Sequence, residues 1–213
     1  TAYESSCSLV GSEMCIRDSS LTAALPDGRP VLQRITYIMN IIIEKAGESD
    51  IDALSRFYDE VNDYLASHIN YPEWKRGIYP ARDTAENAVL EGTAYAAREN
   101  GRIIGSFILR QVPENGYEKA DWHFPSDYDN IIVVYTLAVH PDYSGKGVGR
   151  QLVDFAVDYG RENGMKAVRL DVYEKNEPAI RLYQKCGFQY IDTVDLGYGK
   201  YGLDRFALFQ KLL

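Results

Sequence analysis

The sequence predicts an α/β fold, a sheet flanked by helices. Residues 131–139 form a near-continuous apolar run, as a buried central strand requires. A glycine turn follows, and then Val148, Leu152, Phe155, Ala156 and Tyr159 recur at helical spacing. The same order of strand and then helix returns over residues 167–185. Strands alternating with helices in this way build an α/β sheet.

The chain has 213 residues, enough for one domain with a full core, or for one domain plus a tail. A charged content of 25% argues against a disordered or fibrous chain, and a formal charge of −8 argues against a broad nucleic-acid or anionic-membrane surface. Cys7, Cys15 and Cys186 show no metal-ligand spacing and make a poor disulfide framework, which fits a reducing compartment. The longest apolar run, around residues 41–43, is too short to span a bilayer, and the N-terminus lacks the layout of a signal peptide. The expectation is a soluble cytoplasmic protein without metal.

Residues 1–38 read as a non-native or disordered extension. Residues 1–19 lack periodicity and resemble translated adapter read-through, and 20–38 carry the turn signals Pro26-Asp27-Gly28 and Pro30. Regular patterning starts after Met39, so the domain is expected over 39–213. Residues 40–45 read as a strand. Ser49 is a helix cap with Asp52 three residues on, and Leu54, Phe57, Tyr58, Val61 and Leu65 follow at helical spacing. Residues 71–80 read as loop or short helix, and 84–90 as a further helix. Residues 93–98 and 102–110 flank Asn100-Gly101, the signature of a type I′ hairpin. Residues 112–130 are long, polar and rich in Pro and Gly, the mark of a functional or mobile loop. Beyond the central strand, Asn163-Gly164 ends the helix that begins near Val148. Residues 167–172 are the next strand. Asn176 caps a helix running to Lys185, with Pro178 in its first turn and Gly187 after its end. Residues 190–196 and 205–212 close the sheet.

The turn Ser144-Gly145-Lys146-Gly147-Val148-Gly149 places three glycines at alternate positions, where backbone approaches a ligand without Cβ obstruction. It runs into a helix N-terminus, whose first N–H groups lack intrahelical partners and whose dipole is positive, so it suits phosphate. Lys146 and Arg150 add charge. A Walker A loop is excluded, because Lys146 is followed by Gly147 and not by Ser or Thr. The dinucleotide fingerprint also fails: its sixth position is Arg150 counted from Gly145, and Leu152 counted from Gly147. Asp171 sits where a ribose-binding acid would be wanted, although a structural strand-end role fits it better.

The segment Asn176-Glu177-Pro178-Ala179-Ile180-Arg181-Leu182-Tyr183-Gln184-Lys185-Cys186-Gly187-Phe188 is more specific. Together with Leu137-Ala138-Val139-His140-Pro141 and the glycine turn, it closely resembles the GNAT superfamily of acetyl-CoA-dependent N-acetyltransferases. The resemblance spans roughly residues 40–213 in element order, with its detailed motifs inside 131–190. It implies a mixed, mostly antiparallel sheet whose two central parallel strands, 131–139 and 167–172, splay apart to admit acetyl-CoA. It implies that the backbone of Leu137, Ala138 and Val139 holds the pantetheine arm and thioester. Ser144, Gly145, Lys146, Gly147, Val148, Gly149 and Arg150 would hold the pyrophosphate, Asn176 would reach the pantetheine or the phosphates, and Tyr183 would lie beside the sulfur. Ser144 departs from the usual Gln or Arg, but a backbone cradle does not depend on that side chain.

The implied reaction is direct attack of a neutral amine on the thioester carbonyl. Strand N–H groups stabilise the oxyanion, and Tyr183 (ordinary pKa near 10) protonates the leaving thiolate. Tyr135, Asp129, His123, Glu177 or a water chain would take the proton from the amine. His140 and His68 read as structural and surface residues, and Cys186 as facing the sheet. The acceptor, a small-molecule or peptide amine, would meet the variable segments around Tyr58 to Pro80 and 112–130. There Trp74, Tyr79, Trp122, His123 and Tyr128 form an aromatic pocket, or else simply pack the loops onto the sheet. Two other readings stay open: a non-catalytic acetyl-CoA sensor and, more weakly, a dinucleotide oxidoreductase. The resemblance leaves homodimerisation open.

Overall fold

The computed structural model describes residues 40–124 and 127–213, and the backbone of two short upstream strands. Those strands, β1 (Thr22–Ala24) and β2 (Pro30–Leu32), pair antiparallel with each other in a stretch that reads in sequence as linker. Cys7, Cys15 and Met39 lie outside the described residues.

The remaining strands are β3 (Ile42–Lys45), β4 (Ala94–Glu99), β5 (Arg102–Arg110), β6 (Ile131–Val139), β7 (Ala167–Tyr173), β8 (Gln189–Val194) and β9 (Phe206–Leu212). They form one sheet in the order β3-β4-β5-β6-β7-β9-β8. Every pairing is antiparallel except β6–β7. Among the described residues four α-helices cover it: α1 (Ile51–Ser67), α2 (Arg82–Leu90), α3 (Val148–Glu162) and α4 (Glu177–Lys185). No helix among the described residues is long and apolar enough to cross a membrane.

Local chemistry explains most boundaries. Asn100 and Gly101 both take positive φ, 51° and 80°, as a type I′ turn demands, and they join β4 to β5. The apolar stripe of α1 is buried as its spacing predicts. Its start differs from the expectation. Ser49 lies in a 3-10 turn, Glu48–Asp50, and it is Asp50 that accepts from the Gly47 N–H at 2.9 Å. A carboxylate reaches that N–H and pulls the chain into a tight first turn, so Ser49 caps nothing. Asn176 does cap α4, its Oδ1 accepting from the Ala179 N–H at 3.3 Å.

The sheet has a core on each face. On one, α1 and α2 pack with Trp74, Tyr79, Tyr117 and Trp122; on the other, Val148, Leu152, Val153, Ala156 and Val157 of α3 pack with Ala179, Leu182 and Tyr183 of α4. Each fully buried Leu or Ile in these layers contributes about 1.5–3 kcal/mol.

The alternation along β6 carries the main irregularity. Ile131, Val133 and Tyr135 face α1, and Ile132 and Val134 face α3. The phase then slips: Leu137 and Val139 face α3, and Ala138 faces α1. The slip occurs at Thr136, whose φ is 48°, and the β5–β6 register shifts between Ser106 and Ile108. This is a β-bulge, with a β-branched residue held in the left-handed region.

Candidate active site

The parallel pairing of β6 with β7 is short. Ile131 pairs with Ala167, Ile132 with Val168 and Val133 with Arg169, and there it stops. Beyond that point β6 follows β5 to Val139, while β7 follows β9 to Tyr173. The two strands part into a gap flanked by the bulge at Thr136. The splay implied in sequence is therefore present. Leu137, Ala138 and Val139 form the β6 wall of this gap, and all three are buried.

The glycine turn lies at the same end. A 3-10 turn, Pro141–Tyr143, leads into Ser144, Gly145 (φ 72°), Lys146 and Gly147 (φ 81°), which caps α3. A Cβ added at Gly147 would meet nothing within 4 Å, so the glycine serves the backbone twist and leaves open space above it. The first α3 bond recorded at this end is from the Gln151 N–H to the Gly147 carbonyl, at 3.2 Å. The N–H groups of Val148, Gly149 and Arg150 precede it, at the open N-terminal end of the helix. Gly145, Lys146, Gly147 and Arg150 are exposed. Lys146 Nζ stands 4.9 Å above the Tyr143 ring, and Arg150 Nε lies 3.4 Å from Asp154.

Across the gap, Asn176 is fully buried, and its Nδ2 has no hydrogen-bond partner. A buried amide donor without an acceptor costs roughly 1–3 kcal/mol, so its retention fits a ligand carbonyl or phosphate oxygen. Tyr183 is fully buried on α4, with the Phe188 and Phe209 rings 6.0 and 6.2 Å away.

The α1 face of the gap holds a polar group. Tyr135 and Asp171 each lie two residues beyond the last paired positions, Val133 and Arg169, so they face one another across the opening. Asp171 is fully buried and accepts from the Tyr117 hydroxyl at 2.9 Å. Glu114 accepts from the Tyr198 hydroxyl at 3.0 Å. Tyr79 hydrogen-bonds Thr136 in the bulge, and Tyr135 donates to the Val112 carbonyl. Burial pushes the Tyr135 phenol far above the ordinary range, and the charges of Glu114 and Asp171 push it further. Burial likewise raises Tyr79, against the lowering effect of Thr136. Both phenols stay protonated at neutral pH.

The structure separates several readings that the sequence leaves open. The five aromatics do not make one pocket. Trp74 and Tyr79 pack edge to face on each other, Trp122 and Tyr128 pack on Arg169, and His123 is exposed beside Gln189. They pack the loops onto the sheet because a buried cation and a close-packed α1 face claim their rings. Of the proton acceptors, only Tyr135 is at the gap. Asp129 is exposed near the start of β6, and Glu177 is exposed and paired with Arg181 at 2.9 Å. Asp171 lies in β7 near its end, as expected of a strand-end residue, and is buried with the Tyr117 hydroxyl as partner. Its signal was readable: two charges, Arg169 and Asp171, alternate with Val168, Leu170 and Val172 in a central strand. Buried charge is retained only with partners. His140 is structural, its ring nitrogens held by Glu60, Arg102 and the Asp142 N–H, and Cys186 is buried in the α3 layer.

Comparison with known proteins agrees with this geometry. The family model described as "Acetyltransferase (GNAT) family" matches residues 54–188. A mycothiol acetyltransferase of Propionibacterium freudenreichii is 30% identical over 155 residues, covering 68% of this chain and 45% of that protein. A mycothiol acetyltransferase of Rhodococcus jostii is 34% identical over 107 residues, covering 50% of this chain and 32% of that protein. The chain thus spans less than half the length of these relatives. In fold, it matches yncA from Salmonella typhimurium, whose structure contains its cofactor acetyl-CoA. The TM-score is 0.57 at 23% identity, over 82% of this chain and 94% of that one.

Proposed function

The chain belongs to the acetyltransferase (GNAT) family, and from that premise we propose that residues 39–213 transfer an acetyl group from acetyl-CoA to a primary amine by direct attack in a ternary complex. The observation that carries the proposal is the coincidence of the β6–β7 gap, which opens after Val133 and Arg169, with the glycine turn at its end. Acetyl-CoA supplies the activated thioester.

This chain's residues do the rest. The N–H groups of Val148, Gly149 and Arg150 hold the pyrophosphate at the positive end of α3. Asn176 Nδ2 donates to the pantetheine or a phosphate. Backbone N–H groups of β6 along Leu137, Ala138 and Val139 stabilise charge on the carbonyl oxygen as the amine adds. Asp171, oriented by the Tyr117 hydroxyl, accepts the proton that the amine must lose. Tyr183 gives its proton to the departing thiolate. The acceptor, a small-molecule or peptide amine, approaches from the α1 face, past Tyr79, Tyr135 and Glu114. Their neutral phenols and carboxylate favour a cationic group.

Acetyl-CoA binding by calorimetry, followed by thiol release across a panel of amines (lysine, a polyamine, an amino sugar, a peptide N-terminus), tests the proposal. Amine-dependent release supports it. Tight binding with no release for any amine points to a sensor, and binding of NAD(H) in place of acetyl-CoA defeats it.

A further inference from the structure

Arg169 is 1% exposed. Its guanidinium donates from Nη1 to the Tyr128 hydroxyl at 2.8 Å and from Nη2 to the Phe124 carbonyl at 2.6 Å. It lies 4.0 Å from the centroid of the Trp122 ring and 5.2 Å from that of Tyr128. Nε has no partner, and no carboxylate among the described residues pairs with this cation. A buried cation without a direct ion-pair partner is costly, and an apolar residue of similar volume would pack there at less expense. What an apolar residue lacks is the planar fork, which here fixes three residues of one loop at once.

The contacts continue toward the gap. Trp122 donates from its indole N–H to the Tyr117 carbonyl at 2.8 Å, and the two rings lie 5.1 Å apart. Tyr117 then donates to Asp171. Asp171 sits two residues from Arg169 on the same face of β7, so the chain of contacts leaves the strand, passes through the loop and returns to the strand. Gln210, opposite Arg169 on β9, accepts from the Phe124 N–H at 3.2 Å and holds the same loop from the neighbouring strand. A cavity of about 290 Å³ beside these residues, with Tyr117, Glu118, Trp122, Tyr128 and Arg169 in its lining, shows that close packing alone does not pin the loop.

We propose that Arg169 is a positioning residue, which acts through Trp122 and Tyr117 to fix the aim of the Asp171 carboxylate at the gap. The inference rests on the reading of Asp171 as proton acceptor. It makes Tyr117, Trp122, Phe124 and Tyr128 fixed points of a wall of the acceptor site.

The test is a double-mutant cycle on turnover with the best amine of the panel. Arg169→Met lowers kcat about 10- to 100-fold, as expected for a misaimed catalytic group, and leaves the acetyl-CoA Kd within about twofold. In a Tyr117→Phe background the same change costs less than about a further twofold, because the link it acts through is already cut. In a Trp74→Phe protein, where Trp122 is the remaining tryptophan, Arg169→Met increases acrylamide quenching. If Arg169→Met does not fold, Trp122→Phe keeps a ring over the guanidinium but removes the indole N–H, and is expected to lower kcat about 3- to 10-fold. Unchanged kcat in the variant that folds, or losses that multiply across the cycle, overturn the inference. Asp171→Asn separates the two levels. Full turnover in that variant sinks the proton-acceptor reading and this inference with it. Loss of turnover there, with active Arg169→Met and Trp122→Phe proteins, sinks the inference alone.

Discussion

Replacing Gly147 by alanine is a clean perturbation of the phosphate cradle. The glycine has φ 81°, and an added Cβ would meet nothing within 4 Å. Steric collision therefore contributes nothing, and the cost is that of a left-handed L-residue, about 1–2 kcal/mol. The free protein can relieve this by rotating the peptide, which turns the Val148 and Gly149 N–H groups away from a bound anion. Binding must then restore the strained conformer, so the acetyl-CoA Kd should rise by up to about 5- to 30-fold, the equivalent of that energy. Gly164, at the other end of α3, is a matched control: its φ is 70°, and its Cβ position is also open. Gly164→Ala should lower Tm to a similar extent, about 2–4 °C per kcal/mol in a domain of this size, and leave Kd unchanged. Calorimetric titration and thermal melts of both variants decide the matter. A wild-type Kd in Gly147→Ala, alongside an ordinary Tm loss in Gly164→Ala, would refute the assignment of the diphosphate to this turn.

Other outcomes follow from the same geometry. Tyr183→Phe should reduce kcat about 100-fold or more with an acetyl-CoA Kd near that of the wild type, and an unchanged kcat would remove its role as acid. Asp171→Asn keeps the volume and one acceptor for the Tyr117 hydroxyl, so folding should survive while kcat falls by a comparable factor in stopped thiol-release assays. Asn176→Ala loses the α4 cap, worth about 0.5–2 kcal/mol, but also removes the unpartnered buried amide, so the two effects on Tm offset while acetyl-CoA affinity should fall in titrations. Burial pushes the Tyr58 phenol up to about 12, against the pull of the Ser106 hydroxyl. The folded state holds this proton above the pH at which the unfolded chain releases it, so its stabilisation is complete below about pH 10 and fades as pH climbs toward 12, by about 2–3 kcal/mol in all. Tyr58→Phe should therefore flatten the alkaline fall in urea-unfolding free energy, and an unaltered slope would contradict the burial argument.

The parts legible in sequence were those set by local chemistry. The apolar run of β6, the positive-φ pair Asn100-Gly101, the glycine turn and the Asn176 cap each depend on neighbours within a few residues. The splay and the coenzyme reading came from resemblance, because no periodicity in 131–139 or 167–172 says where pairing stops. The bulge at Thr136 was hidden: a β-branched residue has no local reason to adopt φ 48°, and only the β5 register and Tyr79, 57 residues away, hold it there. The aromatic side chains showed their chemistry but not their partners. Trp122 and Tyr128 suggested an amine pocket, whereas the cation they pack on is Arg169, in a strand more than forty residues distant. Likewise, Tyr117 and Asp171 meet across 54 residues of chain.

The most direct test of the site is a titration of the isotopically labelled protein with coenzyme A, followed by amide NMR. The largest shifts are expected at Gly145, Gly147, Val148, Gly149 and Arg150, with further shifts at Leu137, Val139 and Asn176 along the gap. Shifts confined to the opposite end of the sheet, around Tyr95, Arg110 and Tyr159, with the glycine turn silent, would contradict it.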